Sequence, residues 1–98
     1  MKDFNKRCYE FLRKVPKGKV TTYKEIAFAL NTKAYRAVGS AMRKNQHTPT
    51  IPCHRVIKSD GNVGMYSGGI KKKIELLEKE GVKIVEGKID LSKYIFKF

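Results

Sequence analysis

Cys53 and His54 stand side by side in the segment Ile51-Pro52-Cys53-His54-Arg55-Val56. The thiolate is the reactive form of cysteine. A nearby imidazole that accepts its proton lowers the cost of forming it, and a carboxylate that orients the imidazole completes a nucleophile-activating set. Glu80 is the best carboxylate candidate. Neighbours on an extended chain point to opposite sides, so Cys53 and His54 need a bridging water or a bend in order to communicate. The plainer alternatives are a buried structural cysteine and a satisfied core histidine. A zinc site is disfavoured because Cys8, Cys53, His47 and His54 lack paired-ligand spacing, so no metal is expected.

The periodicity outlines the elements that must position these residues. Behind Asp3, a capping residue, Phe4, Cys8, Phe11, Leu12 and Val15 recur at helical spacing up to Pro16-Lys17-Gly18. Cys8 lies on that apolar stripe and reads as a small buried core thiol. Thr22-Tyr23-Lys24-Glu25 forms a capping box in which Thr22 caps the amides and Glu25 reaches back, so a helix starts at Tyr23 with Ile26, Ala27 and Leu30 inward. Asn31 can take the left-handed stop and Thr32 can cap a next helix from Lys33 to about Lys44, which reads as a helix-turn-helix over about 23–44. In its second helix Ala34, Val38, Ala41 and Met42 face inward, leaving Arg36, Ser40 and Arg43 near one outer stripe. Ala37, Gly39 and Ser40 are small, as either a groove-binding helix or tight core packing requires.

Pro49 and Pro52 keep Thr48 to Cys53 out of a helix, and Cys53 to Ile57 reads as extended before a turn at Ser59-Asp60-Gly61-Asn62. Glycines 64, 68 and 69 bracket Met65-Tyr66-Ser67 in a loop over 64–69. A last helix from about Ile70 to Glu80 puts Ile70, Ile74 and Leu77 on one face and stops at Gly81. Val82 to Val85 reads as a strand, and Ile89, Leu91, Tyr94, Ile95 and Phe96 as a C-terminal cover.

Lys and Arg number 22 against 9 Asp and Glu, a net charge of +13 that draws polyanions. Nucleic acid is the leading partner, with a Lys-rich solubility or thermal-adaptation surface as the alternative. The 98 residues, 41% of them apolar, suit one core and exclude global disorder. Lys2, Asp3, Lys6, Arg7 and Glu10 stand where a signal peptide would be apolar, and no run approaches the ~20 apolar residues of a membrane span. A soluble cytoplasmic chain with reduced thiols is expected, monomeric by default.

Ile51-Pro52-Cys53-His54-Arg55-Val56 resembles the active-site motif of the O6-alkylguanine-DNA alkyltransferases, or methylated-DNA-protein-cysteine methyltransferases. Its order relative to Tyr23, Arg36-Ala37-Val38-Gly39, Ala41-Met42-Arg43, Asn45, Tyr66-Ser67-Gly68-Gly69 and Glu80-Gly81 is also similar, so the resemblance covers roughly residues 4 to 85. It implies a fold that is mainly α with short strands, a single compact winged helix-turn-helix-like domain over 1–98. It further implies that the helix-turn-helix enters the minor groove of double-stranded DNA and that an O6-alkylguanine is flipped out of the stack. In this likeness Arg36 is the finger that fills the vacated space, among DNA-binding residues that include Tyr23, Ala37, Gly39, Ser40 and Arg43. The Tyr23 hydroxyl approaches guanine N3. The carbonyls of Cys53 and Val56 meet the exocyclic amine, the Ser67 amide meets O6, and Met42 and Tyr66 wall the pocket. Asn45 braces the segment before Cys53, His54 acts on Cys53 through a water, and Glu80 orients His54. The implied reaction is one in-line displacement that leaves S-alkylcysteine and intact guanine, with no turnover and no cofactor.

Relatives carry a further domain before this one, Tyr35 stands where they often have a small residue, and Met65 replaces a small or polar one. These departures bear on groove depth and alkyl-size preference. The main rival is a non-catalytic alkyltransferase-like protein that binds alkylated DNA and recruits other repair factors. That branch commonly replaces the reactive cysteine by tryptophan, whereas this chain has Cys53 and no Trp. A plain helix-turn-helix transcription factor would not require the Pro-Cys-His-Arg-Val segment and the Gly-rich loop together.

Overall fold

In the computed structural model, which describes residues 2–44, 51–64, 66 and 69–98, Thr22 joins a strand to a helix. Its backbone is extended (φ −122°, ψ 161°) and its hydroxyl accepts the Glu25 amide at 3.0 Å, so α2 runs Tyr23–Ala29 from the expected start. Among the described residues the Glu25 carboxylate meets Lys97 (3.4 Å) rather than closing the capping box. Asn31 takes the left-handed conformation (φ 59°) and ends the turn after α2. The next helix, α3, starts later than expected, at Tyr35, and runs to Arg43. Thr32 does not cap it. The Thr32 hydroxyl accepts the Ala34 amide in a local turn, which leaves Ala34 outside the helix and exposed instead of inward. Val38, Ala41 and Met42 are buried as anticipated.

The first helix, α1 (Lys2–Leu12), already includes Asp3, so Asp3 does not cap it. Strand β1 (Thr21–Thr22) pairs in parallel with β2 (Val56–Ile57), Thr21 opposite Val56 and Thr22 opposite Ile57. This ladder, though two residues long, ties Thr22, the N-cap of α2, to the segment carrying Cys53. Successive strand residues face opposite ways. Val56 therefore joins a core of Cys8, Leu12, Ile26, Val38 and Met42, while Ile57 joins a second core with Val63, Leu77, Val82 and Tyr94.

α4 covers Ile70–Lys79 and stops at Gly81 (φ 96°). Its rotation differs from the apolar pattern: Leu77 is buried, Ile70 is 47% exposed, and Lys73 is fully buried. Val82 to Val85 forms no strand. Val85 and Lys88 exchange both backbone hydrogen bonds around Glu86-Gly87, whose φ angles of 52° and 76° make a two-residue hairpin turn. The C-terminal cover is present: Phe96 donates to the Val20 carbonyl, Val20 donates to the Tyr94 carbonyl, and Ile89 and Tyr94 are buried near α5 (Leu91–Tyr94). The radius of gyration, 12.1 Å, is that of a well-packed chain of this length. No helix among the described residues is long and apolar enough to cross a membrane.

Candidate active site

Cys53–Arg55 forms a single 3-10 turn between Pro52 and β2, correcting the extended reading of this segment. Pro52 accepts the Arg55 amide and Cys53 accepts the Val56 amide through their carbonyls. The physical consequence is the bend that the Cys-His pair needed: at three residues per turn, adjacent side chains diverge by about 120° instead of pointing oppositely. Cys53 thus faces outward into a cleft while His54 turns back into the protein.

The cleft, about 680 Å³, is lined by Tyr23, Tyr35, Arg36, Gly39, Met42, Arg43, Cys53, Lys58 and Tyr66. Seven of these nine are residues that the sequence nominates. Tyr23 comes from the start of α2, and Arg36, Gly39, Met42 and Arg43 come from one face of α3. A Cβ on Gly39 would meet the Tyr23 ring only at ordinary contact distance (3.9 Å), so close packing does not demand a glycine there and its smallness serves the open cleft. Ala37 and Ser40 sit half-buried on α3 away from this lining. Asn45 and Ser67 lie outside the described residues, as do His47 and Met65. Tyr35 and Lys58 join the lining without having been nominated; both are long exposed side chains on loop or helix-start positions, where periodicity carries no information.

Behind the cleft wall, His54 is 1% exposed and lies 3.0 Å from Glu80, between Nε2 and Oε2. A carboxylate only accepts, so Nε2 carries the hydrogen and donates to Glu80, leaving Nδ1 with a lone pair. Nδ1 is buried and without a hydrogen-bond partner among the described residues. Burial pushes the His54 imidazole below its ordinary pKa, and this outweighs the opposing pull of the Glu80 carboxylate. The ring is therefore a neutral acceptor at neutral pH. It stands edge-on to Tyr66, with centroids 6.4 Å apart.

Glu80 is held by a residue that the sequence reading gave no role. Arg55 forks onto its carboxylate, Nε to Oε1 at 3.0 Å and Nη2 to Oε2 at 2.7 Å, and also donates to the Val15 carbonyl at 2.8 Å. Burial alone would raise the Glu80 carboxyl, but the hydrogen bonds from Arg55 and His54 overcome that and hold it below the usual carboxylate range. Such a bidentate pair fixes direction as well as charge. The motif Cys-His-Arg thus carries a thiol at the cleft, an imidazole behind it and the clamp for the imidazole's carboxylate. Tyr23 has its hydroxyl pushed above the ordinary phenol range by burial and by Cys53, with Arg43 opposing. The Val56 carbonyl, expected to face a guanine amine, accepts the Lys73 ammonium at 2.7 Å; a carbonyl has a second lone pair for another donor.

Residues 3–82 match the family described as 6-O-methylguanine DNA methyltransferase, DNA binding domain. The methylated-DNA–protein-cysteine methyltransferase of Thermococcus kodakarensis is 53% identical over 81 residues, 82% of this chain and 45% of that protein. A bifunctional methyltransferase/endonuclease of Picrophilus torridus is 45% identical over 95 residues, 96% of this chain and 32% of that protein. The chain therefore spans less than half the length of these two relatives. Among solved structures, S. pombe Atl1 in complex with damaged DNA containing O6-carboxymethylguanine superposes with a TM-score of 0.90 at 33% identity, over 100% of this chain and 98% of that one. The cleft, its cysteine and the match over residues 3–82 lead to one assignment: the chain belongs to the 6-O-methylguanine DNA methyltransferase family, through its DNA-binding domain.

Proposed function

We propose that this chain binds duplex DNA through α2 and α3, receives a flipped O6-alkylguanine in the cleft, and transfers the alkyl group to Cys53. The observation that carries this reading is a cysteine in the wall of a base-sized cleft, backed by a buried His54-Glu80 pair whose free nitrogen is the one not spent on the carboxylate. Through a bridging water, the Cys53 proton passes to His54 Nδ1, and Glu80 stabilises the imidazolium that results. The thiolate attacks the alkyl carbon, a C–S bond forms, and the C–O6 bond breaks with its electron pair leaving on guanine. The Tyr23 hydroxyl, facing the cleft, is the donor to the base's N3 edge. Arg36, exposed at the mouth, occupies the space that the base vacates; flipping must be compensated by some such group because unstacking costs a few kcal/mol. Arg36, Arg43 and Lys58 make the cleft's charged rim positive, matching a phosphate backbone.

The near-complete overlap with the S. pombe protein supports a second reading, in which the chain binds alkylated DNA without transfer. Mass spectrometry after incubation with O6-methylguanine duplex separates the two. A single added methyl mapped to Cys53 is the expected result. Tight binding with an unmodified Cys53 would establish the non-catalytic reading instead.

A further inference from the structure

Lys73 is the largest fully buried side chain among the described residues, in a protein where every other lysine of described exposure lies on the surface. An ammonium is excluded from protein interiors unless something there requires its charge. It reaches from α4 to donate to the Val56 carbonyl at 2.7 Å, and Val56 in turn donates to the Cys53 carbonyl within the 3-10 turn. Gly64 lies beside it: a Cβ there would meet Nζ at ordinary contact distance, 3.8 Å. Nothing in the proposed proton relay or the DNA-binding face uses this residue.

We propose that Lys73 is a positioning residue for the transfer reaction, fixing the Val56 carbonyl at the back of the cleft and providing a buried positive charge that favours the Cys53 thiolate. This rests on Cys53 being the nucleophile proposed above. Two physical facts make a buried lysine effective. Water does not screen it, and it cannot swing away as a surface lysine does, so its field at the turn is constant. Burial depresses its pKa to about 8, against which a Cys53 thiolate acts in the opposite sense, so the two ionisations are coupled. The ammonium therefore remains mostly protonated at neutral pH and fades above it. Other titratable or charged groups face the thiol from Tyr9 on α1, Tyr23 on α2, Arg43 on α3, His54 in the same turn, and Lys58 and Tyr66 across the cleft. Lys73 alone among these cations is buried. No proton leaves Lys73 during the reaction: the thiol proton goes to His54, and the electron pair goes to the base.

The coupling is testable without DNA. In the wild-type protein and in Cys53→Ser, the Lys73 side chain is titrated by carbon NMR at Cε. The Lys73 midpoint falls by about one pH unit in Cys53→Ser, because a serine hydroxyl never provides the anion. An unchanged midpoint overturns the proposal, and this arm leaves Lys73 itself intact. In the second arm, iodoacetamide modification of Cys53 is followed against pH, with Cys8 as internal reference. Lys73→Met moves the Cys53 midpoint up by about one unit, roughly tenfold in rate at neutral pH, and Lys73→Arg recovers part of it. A folded Lys73→Met protein with the wild-type profile would reduce Lys73 to a structural amine. Neither arm involves alkyl transfer, so failure here is distinguishable from failure of methylated DNA to modify Cys53.

Discussion

Cys8 and Cys53 are 0% and 4% exposed and pack into the same apolar core, yet their surroundings differ in kind. Cys8 lies on the inner stripe of α1, where burial pushes its thiol up to about 11 against the smaller opposing pulls of Arg7 and a backbone hydrogen bond. Cys53 opens onto a cleft rimmed by Arg36, Arg43 and Lys58, with an imidazole, a carboxylate and a buried lysine on its inner side. The comparison teaches that exposure is a poor guide to what surrounds a thiol. Burial by itself makes a thiolate costly. A buried cysteine becomes a nucleophile only where fixed charges offset that cost and a cavity admits the electrophile.

The largest expected effect breaks the comparison outright. Cys53→Ala abolishes alkyl transfer and retains DNA binding, whereas Cys8→Ala transfers at near wild-type rate; peptide mass mapping after incubation with methylated duplex reads both. A label on Cys8, or transfer surviving in Cys53→Ala, would mean that the two thiols have been assigned the wrong way round. Next is access to the cleft. Arg36→Ala should slow repair of duplex about tenfold or more, the equivalent of about 1.4 kcal/mol, while reaction with free O6-methylguanine is unchanged. Equal slowing of both would place Arg36 outside flipping.

A smaller, pH-dependent effect sharpens the role of the charges. Glu80→Gln removes the anion that favours the protonated imidazole, so His54, already depressed by burial, becomes a weaker base. The single-turnover rate should drop several-fold at neutral pH and its profile should move to higher pH. An unshifted profile at wild-type rate would show that Glu80 serves only to anchor Arg55. The same residue has a linkage consequence. Because its folded pKa lies below the ordinary 4.5, the wild-type protein gains stability above that value and loses it as pH falls through the folded pKa, a loss that Glu80→Gln should lack in acid denaturation.

The last effect belongs to Cys8 and is confined to alkaline pH, where transfer is not being assayed. Its pKa is raised from 9.0 to about 11, so the unfolded chain releases a proton in that window while the folded one keeps it. Stability therefore declines as pH rises from 9.0 toward 11, by at most roughly 2–3 kcal/mol. Lys73 acts oppositely between about 8 and 10.5, since there the unfolded chain holds the proton that the folded one has released. Cys8→Ala should remove the decline and leave the rise, which denaturant titrations across that range would detect. A decline that persists in Cys8→Ala must come from the raised tyrosines, Tyr9 and Tyr23.

Local signals in the sequence were sufficient for several features because the responsible residues are near neighbours. Thr22 capping Glu25, Asn31 at positive φ, the turn closed by Asp60 on the Asn62 amide, and the stop at Gly81 all involve groups within a few residues of one another. The burial of Cys8 followed from helical spacing on one stripe. The segment around Cys53, with Tyr23 and the α3 residues, was legible because its residue types and order resemble a known family; the Cys-His pair by itself favoured a structural cysteine. Other features depend on contacts between distant segments. The 3-10 turn at Cys53 forms where β2 meets β1, 35 residues away along the ladder from Thr21 to Val56. The Arg55 fork needs the end of α4, and the burial of Lys73 needs α4 to rotate so that Ile70 is exposed instead. Helical periodicity assigns a lysine to solvent by default, because burying its charge is costly. Only the packed structure could show that here the ammonium meets the Val56 carbonyl, since that compensating group comes from another part of the chain.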